Sequence, residues 1–199
     1  MILHDKLIPY KIYLASQSPR RKMLLEGTDI KFEVFVRDNI DETVPLGLGK
    51  IEIPLYLAQY KSDAYIDLMK EKTIFITADT IVWHNNRELG KPGDKTDAVN
   101  ILNELSGNEH EVITGVCIRS VNQLVKFHAC SKVKFKKLSE DEIYYYINMY
   151  KPFDKAGSYG IQEWIGYIGI EKIEGSFYNV MGLPVQALYS ELGKFVEND

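Results

Sequence analysis

The stretch "YLASQSPRRKMLLEG", Tyr13 to Gly27, runs from a strand end through a tight turn into a helix. Ser18 followed by Pro19 is an N-cap with proline at the first helical position, and Gly27 stands where a C-terminal cap belongs. That places Arg20 and Arg21 in the first turn, where positive side chains face the positive end of the helix dipole and gain nothing from it. Free backbone N–H groups, the hydroxyls of Ser16 and Ser18 and two guanidiniums converge there, a set suited to phosphate oxygens. The same residues also fit a capped helix whose arginines meet surface carboxylates, and the stretch alone leaves both readings standing.

Outward from this unit, strand patterns cover Tyr10 to Ala15, Ile30 to Val36, Thr73 to Trp83, Glu111 to Val121 and Leu124 to Lys137. Asn85-Asn86 and Asn122-Gln123 sit between apolar runs and predict hairpins. Between Pro54 and Met69, Leu57, Tyr60, Ala64 and Leu68 share a helical face, and Ala98, Ile101, Leu102 and Leu105 do so before the Ser106-Gly107 stop. Ser139 and Glu142 form a capping box ahead of "EIYYYINMY", which Lys151-Pro152 ends. A last helix is expected from Pro184 to near Gly193. With no internal repeat or linker, residues 1–199 read as one α/β domain, either single-lobed or bilobed about a cleft.

The chain has 199 residues, 45% of them hydrophobic and 26% charged, with a net charge of −4. This is ordinary globular composition and argues against general adhesion to nucleic acid or an anionic membrane, so any anion site must be local. The N-terminus is broken by His4, Asp5, Lys6 and Pro9 and reads as neither signal peptide nor membrane span, so a cytoplasmic protein is expected. Cys117 and Cys130 lie in strand patterns and are expected as buried thiols. Four scattered histidines offer no zinc or Ser-His-Asp spacing.

Several residues could carry chemistry. "TIFITADTIV" ends an apolar strand with Asp79 and Thr80, and a carboxylate there is costly unless it binds a cation, pairs with a base or does work; the alternative is an Asp turned to solvent. Lys91, in the turn after the first hairpin, is placed to return beside Asp79, or is a solvated turn lysine. Asp38, Asp41 and Glu42 are oxygen donors of the kind that hold Mg²⁺ with substrate phosphates, in a loop that also reads as merely solvated. "PFDKAGSYGIQEW" crowds Asp154, Lys155, Gly157, Tyr159, Gly160 and Gln162 into a stretch that fits neither helix nor strand, either an irregular connection or a ligand-facing wall. "IEGSFYNVMGLP" reads as a flexible turn that could line a cleft. Lys132, Lys134 and Lys136 mark the solvent face of a strand.

Together these motifs resemble the Maf family of nucleotide pyrophosphatases: "LASQSPRR", "IDET", "LAQYKSDAY", "ADTIV", "LGKP", "DKAGSYGIQ" and "GSFYNVMGLP" follow in the family's order from about Tyr13 to Leu188. The resemblance implies a fold related to the inosine-triphosphate pyrophosphatases, a mixed sheet flanked by helices with a nucleotide cleft. It also implies hydrolysis of a nucleoside triphosphate to the monophosphate and pyrophosphate with a divalent cation, Mg²⁺ or Mn²⁺. Asp79 matches the family's general base, and Glu42, Lys61 and Lys91 its other catalytic side chains; Glu42 and Asp79 match the metal-holding pair. Ser16, Ser18, Arg20 and Arg21 fall in the phosphate-binding turn, and Lys155 in the later substrate loop. Arg20, Thr80 and Gln162 match positions associated with base choice in the branch acting on dTTP and UTP. Ser158 stands where alanine is frequent, and "QEW" where "QG" is frequent. A homodimer is implied by the resemblance only. Two other readings share the same cleft: a nucleotide-sensing regulator of septum formation, and a 7-methyl-GTP pyrophosphatase.

Overall fold

The computed structural model describes residues 2–38, 40 and 42–198. Among them the elements are α1 (Leu3–Leu7), β1 (Lys11–Leu14), α2 (Pro19–Glu26), β2 (Glu33–Val34), α3 (Glu52–Asp63), β3 (Thr73–His84), β4 (Arg87–Leu89) and α4 (Lys95–Leu105). There follow β5 (Glu109–Arg119), β6 (Leu124–Phe135), α5 (Glu140–Tyr150), α6 (Trp164–Gly169), β7 (Ile170–Glu174), α7 (Phe177–Met181) and α8 (Val185–Asn198). Seven strands make one mixed sheet in the order β2-β1-β3-β5-β6-β7, with β4 on β3. β1 pairs in parallel with β2 and β3, while β4 and β7 pair antiparallel with β3 and β6. The expected α/β class, with helices flanking a mixed sheet, is the one the chain forms.

The chain divides into two compact units, one of Met1–Asp79, Thr114–Ala129 and Gly182–Asp199, the other of Thr80–Ile113 and Cys130–Met181. In the first unit, Leu14, Leu25, Ile74 and Ile76 are fully buried around the parallel strands. Tyr13 and Tyr65 stack on either side of Phe75, with ring centroids 4.9 and 5.0 Å from it. Helix α3 lies hard against β5: a Cβ on Gly115 would stand 2.4 Å from the carbonyl carbon and oxygen of Pro54, so only glycine admits the helix there. In the second unit, α4 buries the predicted Ala98, Ile101, Leu102 and Leu105 and is capped by Asp94, which accepts from the Asp97 amide at 2.8 Å. The Ser139–Glu142 capping box opens α5, and Lys151, left-handed at φ 45°, closes it before Pro152. Asn85 and Asn86, at φ 47° and 59°, make the hairpin turn between β3 and β4.

Several expectations need correction. The helix expected over Pro54–Met69 stops at Asp63, and Tyr60 is exposed; the next residues turn so that the Tyr65 ring buries on Phe75. The strand expected over Ile30–Val36 is the short exposed edge Glu33–Val34. The last helix does not stop near Gly193 but runs to Asn198, because Leu188, Leu192 and Phe195 continue its buried face and outweigh one glycine. "IEGSFYNVMGLP" contains α7, and its Asn179 is fully buried, donating from its amide to the Val112 carbonyl and the Ser131 hydroxyl at 3.0 Å each. Of the two cysteines, Cys117 is buried but Cys130 is exposed, since the two-residue alternation of β6 sets it on the same face as Lys132.

Candidate active site

The site begins in the first unit midway along β3, since Asp79 does not end the strand as expected: β3 runs on to His84, and pairs there with β4. The strand is buried through Ala78, and Asp79 is the first residue along it that is only partly covered. Thr77 and Asp79 share a face by the alternation of a strand. The Thr77 hydroxyl donates to the Ala58 carbonyl of α3 at 2.6 Å, which seats that helix over this face. Lys61 lies one turn beyond Ala58, on the same side of α3. Its ammonium therefore reaches Asp79, with Nζ 2.6 Å from Oδ1. On its other side Nζ lies 2.9 Å from Glu42 Oε1. The Lys61 and Asp79 side chains are only 14% and 13% exposed, while Glu42, on the loop before α3, is 51% exposed. Two carboxylates thus converge on one cationic point.

That donor set fits Mg²⁺ or Mn²⁺, which bind through one or two carboxylates and take the rest of their coordination from substrate phosphates and water. Among the described residues no group of three or more His, Cys, Asp or Glu side chains gathers around a point. Asp38 is exposed in the same loop, and Asp41 lies outside the described residues.

The Ser16–Arg21 turn belongs to the same unit and forms as its sequence predicts. Ser18 caps α2, accepting from the Arg21 amide at 3.4 Å, with Pro19 at the first helical position. The Ser16 hydroxyl accepts from the Ser18 amide at 3.2 Å. The two arginines differ in their surroundings. Arg21 directs Nε to the Gly182 carbonyl and Nη1 to the Ala78 carbonyl, each at 2.8 Å. Burial pulls its guanidinium below the ordinary value, opposed by the charge of Asp79. Arg21 thereby fastens the helix mouth to the peptide just before Asp79. Arg20 is half-buried in the same first turn.

The remaining candidates lie in the second unit. Thr80, half-buried, follows Asp79 in the chain. β4 runs back along β3 with Leu89 opposite Val82, so Lys91, exposed in the turn beyond it, follows in the direction of Thr80. The loop from Asp154 to Glu163 is tied to that turn, the Gly157 amide donating to the Gly90 carbonyl at 3.1 Å. Gly157 adopts φ 69°, and a Cβ there would come 2.9 Å from the Val82 side chain. Lys155 is buried at 8% exposure, its Nζ 2.7 Å from Asp154 and 3.2 Å from Glu163. Gln162 is half-buried, and its Oε1 is enclosed with no hydrogen-bond partner among the described residues. Beneath the loop the Tyr159 hydroxyl pairs with His110 Nε2 at 2.7 Å, both residues buried against Phe135.

The structure therefore brings Glu42, Lys61 and Asp79 together, and Ser16, Ser18 and Arg21 together. It sets Lys155 and Gln162 in one loop. Sequence reasoning missed Glu163 and Tyr146, which hold that loop; "YYYINMY" reads only as a packing helix, and nothing in its pattern marks one hydroxyl as a loop anchor.

Residues 11–195 match the family model described as Maf-like protein. The chain is 55% identical over 191 residues to a dTTP/UTP pyrophosphatase of Parabacteroides distasonis, covering 96% of this chain and 99% of that protein. It is 53% identical over 197 residues to a dTTP/UTP pyrophosphatase of Porphyromonas gingivalis, covering 98% and 99%. Among solved structures, the Ham1 protein of Staphylococcus aureus superposes with a TM-score of 0.52 at 14% identity, covering 93% of this chain and 99% of that one. A HAM1 protein from Coxiella burnetii gives 0.50 at 12% identity, covering 96% and 100%. These two share the fold.

Proposed function

The chain belongs to the Maf-like protein family, and from that premise we propose that it hydrolyses dTTP and UTP to the nucleoside monophosphate and pyrophosphate. The observation that carries the reading is Lys61 held between Asp79 and Glu42, an acidic pair and a cation at one point. Breaking the α–β anhydride requires the triphosphate charge to be balanced, a water aligned and its proton removed. Arg20, Arg21, Lys61 and Lys91 supply positive charge, and Ser16, Ser18 and the first-turn amides of α2 supply neutral donors. Asp79 takes the proton of the attacking water, with Lys61 orienting its carboxylate. Glu42 and Asp79 would hold a divalent cation, which would supply further charge neutralisation and polarisation of the phosphate oxygens and the water. The water oxygen bonds to phosphorus, the bridging P–O bond breaks, and pyrophosphate leaves.

Thr80, Lys155 and Gln162 serve the nucleoside end. Gln162 Oε1 has no hydrogen-bond partner among the described residues, and rotation of this half-buried side chain would present it to a base as an acceptor. Uracil and thymine offer it an N3–H donor, whereas cytosine presents a second acceptor at N3, so this atom favours the first two bases. We place the enzyme in the cytoplasm, acting on the nucleotide pool as a homodimer, an assembly that light scattering after size exclusion tests.

The deciding experiment is pyrophosphate release from dTTP, UTP, CTP, GTP, ATP and 7-methyl-GTP with Mg²⁺ or Mn²⁺, with Asp79→Asn as control. Metal-dependent turnover of dTTP and UTP that vanishes in the variant is expected. Binding of all six without cleavage would make the protein a nucleotide sensor. Turnover confined to 7-methyl-GTP would place it in the sister branch.

A further inference from the structure

We propose that the Tyr146 hydroxyl and the Glu163 carboxylate are positioning groups that set base selectivity, by fixing the segment that carries Lys155 and Gln162. The inference rests on the pyrophosphatase reading above, and adds to it two residues that contact no reacting atom. The segment from Lys155 to Glu163 is irregular apart from a short 3-10 turn at Ala156–Ser158, so its backbone must be fixed by ties to other elements. The central tie is Tyr146 of α5, fully buried and stacked on Tyr150 with ring centroids 5.2 Å apart. Its hydroxyl accepts from the Gly160 amide at 3.0 Å and donates to Glu163 Oε2. One oxygen atom therefore holds both residues that bracket Ile161 and Gln162.

Glu163 carries the second tie. Its Oε1 lies 3.2 Å from the Lys155 ammonium, so a single carboxylate joins the start of the segment to its end. A buried lysine is costly unless its charge is met, and Glu163 meets it with a side chain itself only 19% exposed. Gly160 leaves the room for this closure: a Cβ there would stand 2.8 Å from Glu163 Cδ and 3.0 Å from Gln162 Nε2. The resulting order, from Gly160 through Tyr146 and Glu163 to Lys155, gives the Gln162 acceptor a fixed address. Without it the acceptor samples several positions and no longer separates a base with N3–H from one without.

The test uses the full chain with Tyr146→Phe, which removes one oxygen, and Glu163→Gln, which keeps an acceptor for Tyr146 but removes the charge facing Lys155. Steady-state kinetics on UTP, dTTP and CTP are paired with calorimetric binding of the α,β-methylene analogues of UTP and CTP, which needs no turnover. Each variant is expected to raise KM for UTP about tenfold and to reduce the UTP-to-CTP preference about tenfold in both kinetics and binding, with kcat within about threefold; this is the size of one charge-assisted hydrogen bond. Cooperative melting establishes that the variants fold, and if Tyr146→Phe does not, Glu163→Gln decides alone. An unchanged preference in folded variants, or a fall in kcat with KM and preference intact, would overturn the positioning role while leaving the enzyme reading standing. A folded wild-type chain that neither binds nor cleaves UTP would instead remove the enzyme reading and this inference with it.

Discussion

At His110 a titratable ring is held where it cannot charge. Burial, with a smaller contribution from His84, lowers its pKa from 6.5 to about 3, and its Nε2 is engaged by the Tyr159 hydroxyl. The unfolded chain takes up this proton below pH 6.5 and the folded chain does not, so the stabilisation is complete above pH 6.5 and is lost as pH falls toward 3. The loss at the acid end is on the order of 5 kcal/mol at most. Denaturant melts at pH 7 and pH 4 will show a smaller difference for His110→Gln than for the wild type. At Asp79 the expected effect is on rate: Asp79→Asn should lower kcat by ~10²–10⁴ while nucleotide binding stays measurable by calorimetry, and a variant keeping more than about a tenth of turnover removes Asp79 as the base. The side chains at this scale were legible as types, because a carboxylate in an apolar strand and arginines at a helix mouth are each costly without a partner. Their partners were not, because the reach of Lys61 to both Asp79 and Glu42, or of Arg21 to the Ala78 and Gly182 carbonyls, depends on packing between segments far apart in the chain.

Helix α3 is placed by what β5 lacks. With Pro54 backbone atoms 2.4 Å from where a Cβ on Gly115 would stand, Gly115→Ala must push the helix away or distort the strand. Overpacking of this kind costs about 1–3 kcal/mol. Because α3 carries Lys61, the same variant should lose turnover at temperatures where its melting curve shows it still folded, and kcat measured well below the melting midpoint checks this. Helix α8 gives the opposite case. Gly193 lies inside it with nothing within 4 Å of an added Cβ, so Gly193→Ala should stabilise by about 0.5–1 kcal/mol, read as a higher melting temperature with kinetics unchanged. Helices with a cap and an apolar face, α2, α4 and α5, were legible almost to their ends. Where burial overrode a local signal they were not: α8 passes its glycine, and α3 yields to the burial of Tyr65.

Over the whole molecule, a protein of net charge −4 receives a polyanionic substrate. Attraction therefore acts through the local cations rather than the total, and within a Debye length of about 10 Å at 0.1 M salt. Raising ionic strength from 0.05 to 0.5 M at fixed divalent cation should lower kcat/KM, whereas a rise would show that long-range repulsion governs encounter. The α/β class and the succession of strands and helices were legible from pattern alone. The short elements α1, α6 and α7 were not, since each is a few residues long and is defined by what it packs on. Of the two cysteines only Cys130, on the solvent face of β6, is open to reagents, while Cys117 is sealed in the interior. A maleimide dye added to the native protein should thus attach at a single known position. The molecule arrives with its own attachment point for a fluorescent reporter, and labelling requires no altered residue.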